Sequence, residues 1–262
     1  MWWETWFSPA HLPTQKVIGP LGPVHVPVAS RRPYQCLVTD MDECLIHTWD
    51  RDEMNYARYK RTFNTPKAVG VRHAIFGVEM NALHPEERIY GVMRPGLVDF
   101  LNYAFTRFDY VILWSAGTSY YVNQITEYMF SKTDKMPDNV FSRPYCQEEK
   151  EKIQGEPTEE QKELGERLYH TKPLKKLYDV NPHIKLSNIF FLDDNPRTSQ
   201  HNKTNHILIP RFEPEPTVDG VVRAMDTDRC LYDLIAWLER PDVKAAQDIR
   251  KLDKSKIFTS HV

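Results

Sequence analysis

The stretch Gln-Cys-Leu-Val-Thr-Asp-Met-Asp-Glu-Cys-Leu-Ile at residues 35–46 constrains this chain more than any other. Residues 36–38 form a short apolar run that reads as a buried strand. The run ends on two aspartates one residue apart, Asp40 and Asp42. Side chains alternate across a strand. A chain that turns out of the strand at Asp40 nevertheless brings both carboxylates together beyond its carboxyl end, where open α/β sheets place their sites. Two packed carboxylates repel, and one pKa rises unless a cation lies between them. The spacing therefore suggests a nucleophile, a proton donor and a divalent metal. The alternative is a strand followed by an acidic turn.

Two later runs have the same form. Residues 110–114 read as a second buried strand, ending at Ser115-Ala116-Gly117-Thr118-Ser119 ahead of a helix through Tyr121, Ile125, Tyr128 and Met129. Small hydroxyl residues before a helix start make a phosphate cradle or ordinary caps. Residues 188–192 read as a third strand, ending in Asp193-Asp194-Asn195-Pro196. A second acidic cluster in one sheet favours metal binding over a plain turn. Residues 206–210 read as another short strand. Between the second and third strands, Lys172-Pro173-Leu174 opens a short helix with proline at its first position. From there the Lys172 ammonium can point at an anion, whereas Lys175 and Lys176 fall on the helix body as solvated charges. Strands alternating with helices imply a mainly parallel sheet with helices on both faces.

The connecting segments are less regular. Residues 49–93 hold Arg51, Arg58, Lys60, Arg61 and Lys67, then strand-like runs at 69–80 and 88–93 with a turn at 83–86, which together read as an antiparallel β insertion. Arg94-Pro95-Gly96 opens a helix whose Leu97, Phe100, Leu101 and Ala104 recur at helical spacing. Residues 131–167 read as a solvated loop and an exposed helix. Cys230, Leu231, Leu234, Ile235, Trp237 and Leu238 mark the apolar face of a C-terminal helix, and residues 241–262 a charged tail or helix. Residues 1–33, rich in tryptophan and proline, read as an extended arm that packs its aromatics on the main domain. A docking peptide is the alternative. The main domain is expected over residues 34–240.

Composition removes other classes. Lysine and arginine number 34 against 36 acidic residues, a balance that argues against a dedicated nucleic-acid surface. The four cysteines form no Cys-x-x-Cys pair, so they read as reduced thiols of an intracellular protein, in the nucleus or cytoplasm, and not as a disulfide frame or zinc site. No apolar run is long enough for a membrane span. The N-terminus does not read as a signal peptide.

In order, these motifs resemble the haloacid dehalogenase superfamily. The closer resemblance is to the small RNA polymerase C-terminal-domain phosphatases, the NLI-interacting-factor-like family. Asp40-Met41-Asp42-Glu43-Cys44-Leu45 is similar to that family's Asp-x-Asp-Glu-Thr-Leu. Arg94-Pro95-Gly96 followed by Phe100-Leu101 resembles its arginine-proline helix start. Leu113-Trp114-Ser115-Ala116-Gly117 resembles its strand ending in Thr-Ala-Ser, Lys172-Pro173-Leu174 its Lys-Asp-Leu, and Leu192-Asp193-Asp194-Asn195-Pro196 its Leu-Asp-Asn-Ser-Pro. Cys44 stands in place of a threonine, Pro173 in place of an acidic residue, and Asp194 in place of an asparagine, which makes the metal site more anionic.

The resemblance implies an α/β, Rossmann-like fold with a small antiparallel β insertion. It also implies a magnesium-dependent phosphatase acting on phosphoserine or phosphothreonine in proteins, the RNA polymerase II tail among them, without direct nucleic-acid binding. Asp40 is then the nucleophile and Asp42 the general acid and base. Ser115 and Lys172 stabilise the transferring phosphoryl group, with Ala116 and Arg143 at the substrate. Mg2+ is held by Asp40, Asp194, the Asp42 backbone carbonyl and Asp193, the last as ligand or as neighbour to one. For Arg143 a surface salt bridge is the alternative. A non-catalytic scaffold on the same fold and a small-molecule phosphatase are the rival classes. Retention of Asp40 and Asp42 speaks against the first. Insertions unable to roof the site speak against the second and predict an open cleft. Arg51, Arg58, Lys60 and Arg61 either steer an acidic or phosphorylated segment to that cleft or only solvate the insertion.

Overall fold

The alternation of buried side chains in three strands explains the central sheet. In a computed structural model that describes residues 33–80, 87–150 and 168–258, the strands are β1 (Tyr34–Thr39), β2 (Ile46–Trp49), β3 (Ile75–Glu79), β4 (Arg88–Met93), β5 (Phe108–Trp114), β6 (Asn139–Phe141), β7 (Gln147–Lys150), β8 (Leu168–Thr171), β9 (Ile189–Asp193) and β10 (His206–Leu208). Cys36 and Val38 of β1, Ile112 and Trp114 of β5, and Ile189 and Phe191 of β9 join one apolar cluster. Their neighbours Leu37, Val111, Leu113, Phe190 and Leu192 join the other. Strands buried on both faces read as continuous apolar runs, the pattern of an interior parallel sheet.

The sheet is five-stranded in the order β10-β9-β1-β5-β6, and every recorded pairing in it is parallel. The fold is the expected α/β class. The first strand lies at the centre, with Thr39 opposite both Leu113 and Leu192. That register sets the carboxyl ends of β1, β5 and β9 at one level. Helix α1 (Tyr56–Phe63) belongs to the insertion, α2 (Leu97–Arg107) precedes β5, and α3 (Ser119–Phe130) follows it. Gly96, at the N-cap of α2, has φ +77. A Cβ there would also lie 2.9 Å from the Tyr232 ring, so the residue is fixed by backbone and space together.

The insertion corrects the sequence reading. It is a three-stranded antiparallel sheet in the order β2-β4-β3, not a two-stranded hairpin. Ile46–Trp49 supplies the third strand, and α1 adds a helix where only a basic stretch was read. Residues 69–74 are turns and a 3-10 segment, so the strand starts at Ile75. Trp49, Met54 and Phe63 pack with Tyr90 and Val221 in a third apolar cluster beneath it. Val221 comes from α4 (Val218–Thr227), a helix absent from the sequence reading. The turn expected at 83–86 lies outside the described residues, as does the N-terminal arm up to residue 32.

The polar region after residue 131 also differs. It contributes β6 to the central sheet and β7 to a hairpin with β8, where loop and exposed helix were expected. Residues 151–167 lie outside the described residues. The C-terminal stretch has helical turns at Pro241–Lys244 and Ile249–Lys251, and it buries Val243, Ile249, Ile257 and Phe258 in the main core. All four cysteines are buried free thiols. Among the described residues no helix is long and apolar enough to cross a membrane.

Candidate active site

Three adjacent strand ends supply the site. Asp40 follows β1 and its N–H donates to Leu192 O at 2.9 Å. The chain then turns back: Leu45 N–H and Ile46 N–H both donate to Met41 O, and Glu43 takes a positive φ of 54. Such a conformation is uncommon for a residue with a side chain. Arg94 holds this turn in place. Its buried guanidinium donates to Cys44 O at 2.9 Å, to Pro210 O at 2.8 Å and to the Asp228 carboxylate at 2.9 Å.

Asp40 and Asp42 diverge within that turn. Lys172 Nζ lies 2.8 Å from Asp40 Oδ1 and 2.7 Å from Asp193 Oδ2, and its side chain is buried. Burial pushes the Asp40 carboxyl up, and the Lys172 ammonium opposes that. Burial disfavours the ammonium of Lys172, yet Asp193 and Asp40 together raise its pKa. The distances support a charged lysine shared by two carboxylates. Lys172 precedes a 3-10 turn, Leu174–Lys176, and the helical turn Leu177–Val180. The anion it meets is thus the acidic pair of the sheet. Lys176, expected to be solvated, donates to Tyr145 O and Cys146 O at 2.8 and 3.1 Å.

Asp42 is held on the other side. Its Oδ1 accepts a short hydrogen bond from the Tyr121 hydroxyl, and Oδ2 accepts one from Ser115 Oγ at 3.3 Å. Thr48 Oγ1 lies 3.0 Å from the same Tyr121 hydroxyl. Burial pushes the Asp42 carboxyl up to about 6, against the hydrogen bond from Tyr121. Ser115 also accepts from Gly117 N at 3.0 Å. The residue at the N-cap of α3 is Thr118, with no side-chain capping bond, so Ser115 is not a helix cap. Arg143 donates through Nε to Ala116 O at 2.8 Å and through its backbone N–H to Gly117 O at 2.9 Å. It braces the loop after β5, and among the described residues it forms no ion pair.

Asp40, Asp193 and Asp194 offer carboxylate oxygens that all lie within 4.8 Å of one another. The Asp42 carboxylate is outside this group. Both oxygens of Asp193 are engaged, Oδ2 by Lys172 and Oδ1 by Asn195 N at 2.9 Å. Asp40 Oδ1 takes Met41 N and Lys172, and Asp194 Oδ2 takes Arg211 Nε at 3.1 Å. Among the described residues no hydrogen bond engages Asp40 Oδ2 or Asp194 Oδ1. Two such oxygens on converging carboxylates suit a hard cation such as Mg2+. Burial, then Asp193, pushes the Asp194 carboxyl up to about 6. Tyr121 and Arg211 were missed in the sequence because each meets its partner only through the fold. Tyr121 figured merely as one apolar position of α3.

Residues 35–250 match the family described as NLI interacting factor-like phosphatase. The chain belongs to that family. Its topology and its three polar strand ends agree with the haloacid-dehalogenase-like resemblance. Two solved structures are similar to this family member. One is the fission yeast RNA polymerase II CTD phosphatase Fcp1-R271A bound to beryllium fluoride, at 17% identity and a TM-score of 0.47, covering 69% of this chain and 42% of that one. The other is Fcp1, described as an essential RNA polymerase II CTD phosphatase, at 18% identity and 0.47, covering 85% of this chain and 59% of that one. This phosphatase-family chain thus spans about half the length of those two chains. Comparison with curated proteins returns no match.

Beside Asp42 the phosphatase-family domain opens a cleft of about 900 Å³, lined by β2, the loop after β5 and Arg143. Among the described residues no helical cap covers it. Of the four basic residues read as steering groups, Arg51 alone lines the cleft.

Proposed function

We propose that this protein is a magnesium-dependent phosphatase that hydrolyses phosphoserine and phosphothreonine in proteins through an aspartyl-phosphate on Asp40, working in the nucleus or cytoplasm. The observation that carries this reading is the division of labour between the two aspartates. Asp40 sits against Lys172 and the other acids, while Asp42 is held apart with its carboxyl near the pH where it can both give and take a proton.

In the first step an Asp40 oxygen attacks phosphorus, the P–O bond to the substrate breaks, and Asp42 protonates the leaving alkoxide. In the second, Asp42 takes a proton from water, whose oxygen attacks the aspartyl-phosphate; phosphate leaves and Asp40 is restored. Ser115 turns its hydroxyl proton from Asp42 to a phosphoryl oxygen, and this frees Asp42 Oδ2. Lys172 offsets the negative charge of the nucleophile and the phosphoryl group. Arg143 offers its remaining guanidinium N–H groups to the substrate phosphate, next to Ala116. Asp40 and Asp194, with the Asp42 backbone carbonyl, would hold Mg2+, which would reduce repulsion between carboxylate and phosphate. Asp193, which already accepts one hydrogen bond on each oxygen, would be a further ligand or would hold Lys172 beside the site. The RNA polymerase II tail named for the two similar structures is one substrate to test.

The deciding experiment is turnover of phosphopeptides, sugar phosphates, nucleotides and an aryl phosphate, with and without Mg2+. Peptides should lead, and chelation should stop the reaction. Turnover indifferent to chelator excludes the metal role. Asp42→Asn should slow seryl esters more than an aryl phosphate, because only the alkoxide needs a proton to leave. Equal losses on both substrates would remove Asp42 as the acid.

Magnesium binding should also depend on pH. The folded-state pKa of Asp194 lies above its ordinary carboxylate value. Without metal the carboxyl therefore contributes stability below that ordinary value, and the contribution is lost as pH rises through about 6. Mg2+ binds the ionised form, so the thermal stabilisation it gives should grow from pH 5 to pH 7. A shift in melting temperature that is flat over this window would count against Asp194 as ligand.

A further inference from the structure

The charge along the cleft has the wrong sign for an acidic substrate. Six carboxylates line it among the described residues: Asp42, Glu43, Asp50, Glu53, Glu87 and Glu213. Three guanidinium groups line it with them; two have a partner outside the six carboxylates, and the third serves one of the six. Arg88 is paired with Glu79, which does not line the cleft, at 3.1 Å. Arg51 stands 4.0 Å from Glu87. Arg143 is anchored to Ala116 O at the phosphate end. Arg211, at the margin, is shared among Asp194, Glu43 and Glu213, so one cation serves three carboxylates. Asp50 and Glu53 are exposed at the mouth of the cleft, where Glu53 accepts from Asp50 N at 2.9 Å. The basic residues Arg58, Lys60 and Arg61 are not among those lining it.

A phosphorylated segment brings its own negative charge to this surface. In the proposed reaction Lys172 and Arg143 meet the phosphate, whereas a further carboxylate on the segment meets Asp50 and Glu53, since Glu87 and Glu213 already have Arg51 and Arg211 beside them. We propose that the cleft selects phosphorylated segments carrying lysine or arginine within a few residues of the phosphate, with Asp50 and Glu53 receiving the flanking cation. This rests on the phosphatase reading of the site, and it reverses the steering role that the basic insertion suggested. Charges of this kind act through the encounter rate and through rejection of like-charged partners, and both weaken with salt.

The test uses the whole chain with Mg2+ and four substrates: an aryl phosphate, and one phosphoserine peptide made with lysine, alanine or glutamate flanks. At low ionic strength kcat/KM for the lysine-flanked peptide should exceed that for the glutamate-flanked peptide by about tenfold, with alanine between them. Salt should shrink the ratio. Asp50→Asn combined with Glu53→Gln should lower the same ratio several-fold. Both changes are isosteric at exposed positions. Equal rates for the three peptides, or preference for glutamate flanks, overturn the proposal while leaving the phosphatase reading intact. Failure of every ester, the aryl phosphate included, overturns the phosphatase reading and this proposal with it.

Discussion

Asp40→Asn should lower phosphate-ester turnover by about 10³-fold or more, with no loss of fold. A carboxamide cannot act as the covalent nucleophile, and removal of such a group costs most of the rate. The fold should survive because the shape is kept. The carboxamide oxygen of the variant can still accept from Met41 N and from Lys172, and Lys172 retains Asp193 at 2.7 Å. The second readout is covalent labelling: incubation with substrate, or with beryllofluoride, should mark the wild-type chain at residue 40 and leave the variant unmarked. A variant with wild-type turnover, or a phosphate trapped on another residue, would sink the mechanism.

Lys172→Met has two consequences that separate cleanly. The lysine is buried between two carboxylates. Its removal leaves Asp40 and Asp193 facing each other in a site of low polarity. Breaking a buried ion pair in this way costs about 3–5 kcal/mol, mostly because a charge is left uncompensated. Denaturant unfolding should show a loss of that size. Turnover should also vanish, since the phosphoryl group loses its fixed cation. Adding Asp193→Asn removes the orphaned charge. The double variant should regain much of the lost stability and none of the lost activity. Recovery of activity together with stability would make Lys172 a structural residue only. By contrast Lys175→Ala, on an exposed side chain, should change neither by much.

The strand ends were legible in the sequence because interior strands declare themselves. β1, β5 and β9 are apolar on both faces, and each stops at a polar cluster. The strands that were missed lack that signal. β2 has polar, half-buried His47 and Thr48 at its middle, so neither alternation nor an apolar run appears. β6 has three residues and lies at the sheet edge, yet Phe141 O accepts Ser115 N at 2.9 Å and so fixes the site loop. Helix α1 buries only Phe63, so its sequence reads as a charged loop. Among site residues, Asp40, Asp42, Ser115, Lys172, Asp193 and Asp194 stood at motif positions. The division between Asp40 and Asp42 did not, because it depends on Tyr121 and Thr48 from distant segments. Nor did the sign of the cleft, which depends on which charged residues turn inward.

The central position of β1 has a consequence for synthesis on the ribosome. β1 is the first strand of the sheet to emerge, and its partner β9 is among the last; β9 adds to the open edge of β1, and β10 then adds to β9. Until then one side of β1 lacks its neighbour, and Asp40 lacks both Lys172 and the third strand end. A nascent chain therefore carries Asp40 without its countercharge until well over half of the domain has been made. Pairing across such sequence separations forms slowly. A ribosome-stalled chain ending before residue 189 should accordingly fail to bind beryllofluoride, however long it is given to fold.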